Sequence, residues 1–301
     1  MKPELFRVPF LDLPVHSYGA MIVLGFLLSI WFASREVRRR GLPPIVYDLG
    51  LVMLLSGLVG ARIFYVALQY DDFVLPCEHG GGEGGGPLHP DGHFDWAEVA
   101  AIWHGGLVFY GGAILGGLAG LGFMRLRRVP IVPFLDAVAP FFFVAMGFGR
   151  IGCVLNGCCF GGLCAPEATL GLSYPAEVPG AYFLHQHEGC IGLDAASSAP
   201  VHPVQMYEAG LDFLLCGLLW WYLRGISLRG AGMPLAFVLY GVGRFLLEYL
   251  RGDNLPIHWG GWTISQVVSL VLIGVFLPVF VGLALRGSVE NAGAARHSAA
   301  S

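Results

Sequence analysis

The sequence predicts an all-α polytopic membrane protein: about seven transmembrane helices with a small extracytoplasmic head segment. Three observations predict it. Hydrophobic residues make up 55% of the 301 positions and charged residues 13%, with a mean hydropathy of +0.67, too apolar for an ordinary soluble domain. Seven apolar stretches, at about 15–34, 48–69, 105–124, 133–154, 205–223, 231–250 and 262–285, each approach the roughly 20 residues that cross a bilayer. Basic residues gather after alternate stretches, as the two sides of a membrane require.

The first stretch holds Tyr18 and Ser29 and ends in Arg35, Arg38, Arg39 and Arg40; it has no small-residue cleavage site and reads as a retained helix. The second carries Arg62. Residues 77–93 form a Gly/His/Glu-rich loop, read as a flexible insertion rather than a metal-binding tract. In the third stretch Gly111, Gly112, Gly116, Gly117 and Gly120 are what close helix packing requires. The fourth ends at Arg150 and Asn156, and the density of Gly147, Gly149, Gly152 and Gly157 reads as a loosened helix end whose N–H groups are placed to meet an anion. Residues 155–204 are long enough to fold into a head or lid. The chain shows no domain boundary and no convincing repeat: residues 1–287 read as a single integral-membrane domain, and 288–301 as a disordered cytoplasmic tail.

Eleven basic residues follow the first, third, fifth and seventh stretches, against Lys2, Arg7 and Arg251 on the other side, while 70–104 and 155–204 contain no Lys or Arg. The positive-inside rule then places the amino terminus outside and the carboxy terminus in the cytoplasm.

Arg62, Arg150 and Arg244 lie within the apolar stretches. An ionised guanidinium there costs at least ~2.5–3.5 kcal/mol, so it faces a partner, a ligand or water. On the predicted topology Tyr18, Arg62, Tyr110, Arg150, Asn156, Tyr240, Arg244 and Glu248 all sit toward the outer side. Tyr240, Arg244, Glu248 and Arg251 recur at i, i+4, i+8 and i+11, one face of a helix, with Glu248 placed to orient Arg244. With no other acid expected nearby to neutralise them, the arginines read as an anion site rather than as a helix tie. The inner halves are nearly uncharged, with Asp48, Asp136 and Asp212 the main exceptions, which counts against a permeation path. Paired aspartates, a Ser–His dyad and a His-Glu-x-x-His motif are missing, which counts against an intramembrane protease. Cys153, Cys158, Cys159 and Cys164 cluster after the fourth stretch. A disulfide among Cys158, Cys159, Cys164 and Cys190, its pairing open, is expected over a zinc site or a nucleophilic cysteine served by His104, His185 or His187. No metal or cofactor is expected.

Five blocks occur in order: H-S-Y-G (His16–Gly19), W-H-G-G-L-V-F-Y-G-G (Trp103–Gly112), G-R-I-G-C-V-L-N-G-C-C-F-G (Gly149–Gly161), H-P-V-Q-M-Y-E (His202–Glu208) and Y-G-V-G-R-F-L-L-E-Y-L-R (Tyr240–Arg251). From about residue 10 to 285 the chain resembles the prolipoprotein diacylglyceryl transferases of bacterial inner membranes. The resemblance implies transfer of the diacylglyceryl group from phosphatidylglycerol to the lipobox cysteine of a preprolipoprotein signal peptide, with release of glycerol 1-phosphate. It implies a multi-pass protein whose partners are that lipid, that peptide and the bilayer, with no nucleic acid. By motif position Arg150 and Arg244 hold the phosphate, a task suited to the guanidinium fork. Asn156 and Tyr240 bond the headgroup or leaving group, Gly161 belongs to the same binding block, and Glu248 orients Arg244. Tyr18 and Tyr110 line the reaction centre, and Arg62 is structural or gating.

Two positions depart from the family pattern. Tyr110 stands where the family's usual block carries a histidine, the residue proposed as its base. A phenol with a pKa near 10 is a poor base at neutral pH. Two roles therefore remain for Tyr110, positioning the thiol or working with Arg150, and His104 is a weaker substitute. Cys153 and Cys158 replace the commoner polar residues after G-R-x-G.

Overall fold

The computed structural model describes residues 4–7, 14–68, 106–164, 170–192, 194–225, 230–252 and 261–300. The 77–93 insertion, Cys77 and His104 lie outside them. The chain divides into two units, Met1–Leu42 with Val132–Ser301, and Pro43–Ile131.

The described helices are α1 (Ser17–Arg39), α2 (Val46–Leu68), α3 (Phe109–Leu126), α4 (Ile131–Asn156), α5 (Pro179–His187), α6 (Val204–Gly225), α7 (Gly232–Leu247) and α8 (Ile264–Ala300). A short antiparallel hairpin, β1 (Glu4–Arg7) with β2 (Pro14–His16), precedes α1, and a 3-10 turn, Glu248–Leu250, extends α7. Among the described residues six helices are long and apolar enough to cross a membrane: α1, α2, α3, α4, α7 with its 3-10 turn, and the 264–285 part of α8. The protein is a polytopic membrane protein. The seventh expected span falls on α6, 22 residues or about 33 Å long, which carries Glu208 and Asp212 and is not among the six. α8 continues as helix past residue 288, where a disordered tail was expected; its Ala-rich end has high helix propensity.

In the smaller unit α2 packs on α3 through glycines. A Cβ on Gly60 would strike the Gly111 carbonyl oxygen and Leu115 Cβ, and one on Gly111 would strike Gly60 and Phe64. Gly112, Gly116 and Gly120 also face α2, whereas Gly117 faces open space. Arg62 is buried and donates from Nη1 to the Gly106 carbonyl at 3.1 Å, fixing the turn that leads into α3.

In the larger unit α1 crosses α4 at Gly25, where a Cβ would lie 2.6 Å from Phe148 Cβ, and Ser29 Oγ donates to the Phe141 carbonyl at 2.6 Å. α4, α6 and α7 share a core of Ala139, Phe143, Leu215, Leu219, Leu223 and Ala236. One end of this unit is tied by two buried acids. Glu36 accepts from Arg39, Arg40 and Trp220 Nε1, joining α1 to α6. Asp136 accepts the backbone N–H groups of Gly230 (2.5 Å) and Gly232 (2.8 Å), so it caps the amino terminus of α7. Asp136 is therefore a structural acid.

α4 ends in a Schellman motif. Gly157 adopts φ +72°, its N–H bonds the Val154 carbonyl, and the Cys158 N–H bonds the Cys153 carbonyl. The expectation of a loosened helix end around Arg150 is thus corrected: α4 is continuous through Asn156. Gly147 and Gly152 make room for Phe213 and Tyr18, and Gly149 faces open space. A helix carboxy terminus presents carbonyl oxygens, so its backbone is no anion cradle.

The head follows. Phe160, Tyr174, Val178, Ala181 and Val201 form its own core, with α5 on one side. Gly180 in α5 meets Gly157 backbone to backbone: a Cβ on Gly180 would sit inside the Gly157 carbonyl oxygen. Gln205 at the start of α6 is fully buried and donates to Tyr174 Oη at 2.9 Å and to the Cys158 carbonyl at 2.8 Å, locking the head onto the bundle. Burial pushes the Tyr174 phenol up to about 12.

Candidate active site

At the other end of the larger unit, the end of α4, the start of α6, the end of α7 and the start of α8 bring charged groups together. Arg150 Nε lies 2.5 Å from Glu208 Oε2, and Arg244 Nη1 lies 2.8 Å from Glu208 Oε1. One carboxylate bridges two arginines. The Arg150 side chain is 19% exposed, Arg244 9% and Glu208 6%, so the bridge is largely shielded from solvent.

Arg244 is held from three sides. Its Nη2 lies 2.7 Å from Glu248 Oε2, one turn along the same helix, and donates to Ser265 Oγ at 2.9 Å. Glu248 in turn accepts from Thr263 Oγ1 at 2.5 Å, and Arg251 approaches it at 4.0 Å. Thr263 also begins α8 as a capping box: its Oγ1 accepts the Gln266 N–H, and its own N–H donates to Gln266 Oε1 at 3.1 Å. The α8 terminus is therefore built into the support of Arg244. Arg150 is different. Only its Nε is engaged, and among the described residues its two terminal nitrogens have no partner, leaving four N–H donors.

A small cleft, about 260 Å³ of atom-free space including its mouth, is lined by Arg150, Glu208, Asp212, Tyr240 and Arg244 with Leu211, Leu215 and Leu247. Tyr18 lies beside Arg150: its ring packs on Gly152 of α4, and the fields of Arg150 and the nearby cysteines act on its hydroxyl. Asn156 hydrogen-bonds the Cys158 thiol. Gly161 accommodates a close pass of the head over His202, whose carbonyl oxygen a Cβ would approach to 2.5 Å. The Gly161 N–H bonds that same oxygen at 3.0 Å. Tyr110 belongs to the smaller unit, where its exposed ring meets Phe109 edge-on at the start of α3.

The sequence reading missed Glu208 and misplaced Asp212. The arginines were expected to lack a neutralising acid, and Glu208 pairs with both. Asp212 was assigned to the inner halves of the spans, and it lines the arginine cleft. The missed signal was available: Glu208 and Asp212 are i, i+4 on one helix, the spacing that puts two acids on the same face.

The cysteines also depart from expectation. All six described cysteines are free thiols, so the expected disulfide is not formed. Instead the sulfurs of Cys153, Cys158 and Cys159 lie within 4.8 Å of one another. Hydrogen bonds from Cys153 and Cys158 hold the Cys159 thiol well below the usual thiol range; burial opposes this, and the guanidiniums of Arg251 and Arg150 add to it. In the head, His185 is buried against Phe160, and burial lowers its pKa, favouring the neutral ring.

Comparison with known proteins shows the family. The family model described as prolipoprotein diacylglyceryl transferase matches residues 3–281. A phosphatidylglycerol–prolipoprotein diacylglyceryl transferase of Clostridium tetani is 29% identical over 281 residues, 92% of this chain and 96% of the relative. The one from Corynebacterium efficiens is 30% identical over 93% of this chain and 82% of its own length. That from Synechococcus elongatus is 31% identical, with 87% of this chain and 81% of the relative covered. The chain belongs to the prolipoprotein diacylglyceryl transferase family.

Proposed function

We propose that the Arg150–Glu208–Arg244 bridge is the phosphate-binding centre of this chain's diacylglyceryl transfer from phosphatidylglycerol to the cysteine of a prolipoprotein. The observation that carries the assignment is the asymmetry of the two arginines. Arg244 is fixed by Glu208, Glu248 and Ser265, while among the described residues the two terminal nitrogens of Arg150 have no partner beside the cleft. Arg150 is the phosphate ligand. Arg244 supplies fixed positive charge and, through the shared carboxylate, holds Arg150 in place.

In the reaction the substrate thiolate attacks the glyceryl carbon that carries the phosphate. The S–C bond forms, the C–O bond breaks, and its electron pair leaves on the phosphate oxygen of glycerol 1-phosphate. Stabilising that developing charge is the main demand on the protein, and preformed donors in a site of low dielectric meet it at least reorganisation. Tyr240 lines the cleft and donates to the headgroup or leaving group. Tyr18 sits where the thiol would approach Arg150. The distribution of Lys and Arg supports an amino terminus outside and a cytoplasmic carboxy terminus, with the arginine centre toward the outer leaflet, and membership of the family supports a bacterial inner membrane.

The test uses the purified protein in phosphatidylglycerol-containing membranes with a lipobox peptide, read by mass spectrometry. The peptide cysteine gains the diacylglyceryl mass with the wild type and not with Arg150→Ala. Arg150→Lys is nearly as poor, because an ammonium keeps the charge but loses the fork. Normal transfer by Arg150→Ala removes Arg150 from the phosphate. Lipid binding without thioether formation by a folded wild type would make the protein a lipid-binding one.

A further inference from the structure

The transferase reading leaves open what turns the substrate thiol into a thiolate, and the cysteine cluster offers an answer. Cys153 projects from the last turn of α4, and the Schellman turn folds Cys158 and Cys159 back beside it. Cys159 reaches its place with φ +61°, a left-handed backbone uncommon for a side chain of this kind. The three sulfurs lie within 4.8 Å of one another, and a tetrahedral zinc with Zn–S bonds of about 2.3 Å sets its sulfurs about 3.8 Å apart. Cys158 and Cys159 are only partly buried, so the cluster has an open side. The positive charges of Arg150 and Arg251 act on its sulfurs, which suits a site that turns anionic when three thiolates bind a divalent ion.

We propose that Cys153, Cys158 and Cys159 form a three-thiolate site for a thiophilic divalent cation, zinc by its chemistry, whose open fourth position takes the substrate cysteine. Three protein ligands with one open position is the arrangement of catalytic rather than structural zinc, and thiolate ligands select soft metals. The substrate thiol replaces a bound water and loses its proton to solvent, because a coordinating thiol is deprotonated outright. The bound sulfur then attacks the glyceryl carbon, the C–O bond breaks, and its electron pair leaves with the phosphate held by Arg150. The site lies within electrostatic reach of Arg150, so nucleophile and leaving group share one neighbourhood.

The proposal rests on the transferase reading, and the experiment separates the two. Full-length protein is stripped with a chelator and loaded with cobalt(II) as a spectroscopic probe, or with zinc for transfer. Thiolate-to-cobalt charge-transfer bands are expected in the wild type and lost in Cys153→Ser, Cys158→Ser and Cys159→Ser. The cobalt spectrum shifts on adding a lipobox peptide and stays unchanged with the serine version. Transfer falls on chelation and returns with zinc, an arm that needs no variant and is immune to misfolding. Missing cobalt bands, bands indifferent to the peptide thiol, or unchanged transfer after stripping overturns the site. No transfer by zinc-loaded protein whose cobalt spectrum still answers to the peptide thiol strikes the transferase reading and leaves the thiol site standing.

Discussion

Replacing Glu208 with glutamine removes the one charge that both arginines share while keeping the side chain's size. Glu208 is 6% exposed and faces Arg150 Nε at 2.5 Å and Arg244 Nη1 at 2.8 Å. Removing one partner of a buried pair typically costs about 3–5 kcal/mol, because the remaining charge is left uncompensated. The loss does not fall equally. Arg244 keeps Glu248 and Ser265, whereas Arg150 loses its only described partner and is 19% exposed, so water recovers part of the deficit. The lower end, about 3 kcal/mol, is the expected destabilisation. Freed from its tether, Arg150 no longer meets the phosphate at a fixed place, and a misplacement of about 1 Å costs roughly 100-fold in rate. Glu208→Gln therefore lowers transfer by at least about 100-fold in kcat/KM, and the apparent Tm in detergent drops by several degrees. A double-mutant cycle of Arg150→Ala with Glu208→Ala, read in unfolding, returns a coupling of about 1.5 kcal/mol or more. Wild-type transfer and Tm in Glu208→Gln, with no coupling in the cycle, would falsify the idea that this carboxylate holds the phosphate ligand.

Three further outcomes are expected. Gly180→Ala drives a Cβ into the Gly157 carbonyl oxygen, where backbone meets backbone and neither can yield, so the head loses at least about 1–3 kcal/mol and becomes protease-sensitive. Asp136→Ala leaves the Gly230 and Gly232 N–H groups without their acceptor and destabilises the larger unit by about 0.5–2 kcal/mol in thermal unfolding, with transfer by the surviving folded protein unchanged. Burial lowers the folded-state pKa of His185 from 6.5, so its neutral form contributes stability that is present above that value and lost as pH falls below it. Hydrogen exchange in α5 should accelerate on acidification, and His185→Phe should flatten that response.

Much of the fold was legible because membranes impose simple rules. Long apolar runs marked each span, and glycines in register marked the contact of α2 with α3. The arginine–tyrosine–glutamate face of α7 was equally plain, since i, i+4 spacing needs no tertiary knowledge. The i, i+4 spacing of Glu208 and Asp212 marks an acidic helix face, but the pairing of Glu208 with Arg150 and Arg244 is not legible, because it joins three helices distant in sequence. Asp212 was legible: the 205–223 stretch runs inward from the Lys/Arg-free 155–204 segment, which puts residue 212 in its outer half rather than its inner one. The thiol cluster depended on the left-handed backbone at Cys159, which sequence spacing does not reveal.

The shared carboxylate also explains how the bundle keeps so many charges in an apolar setting. Three guanidiniums, those of Arg150, Arg244 and Arg251, face two carboxylates, Glu208 and Glu248, so most of the positive charge is offset and no isolated guanidinium has to be desolvated. Full neutralisation by a carboxylate on each arginine would leave no donor for phosphate. Sharing one carboxylate between Arg150 and Arg244 instead ties down a single nitrogen of Arg150 and leaves its fork exposed. The arrangement therefore fixes Arg244 and leaves donors on Arg150 for an anion. On this argument a second acid placed against Arg150, as in Tyr18→Glu, should keep the protein folded yet raise KM for phosphatidylglycerol, since the added carboxylate competes for those free donors. Unchanged KM in a folded Tyr18→Glu protein would mean that the lipid phosphate binds elsewhere.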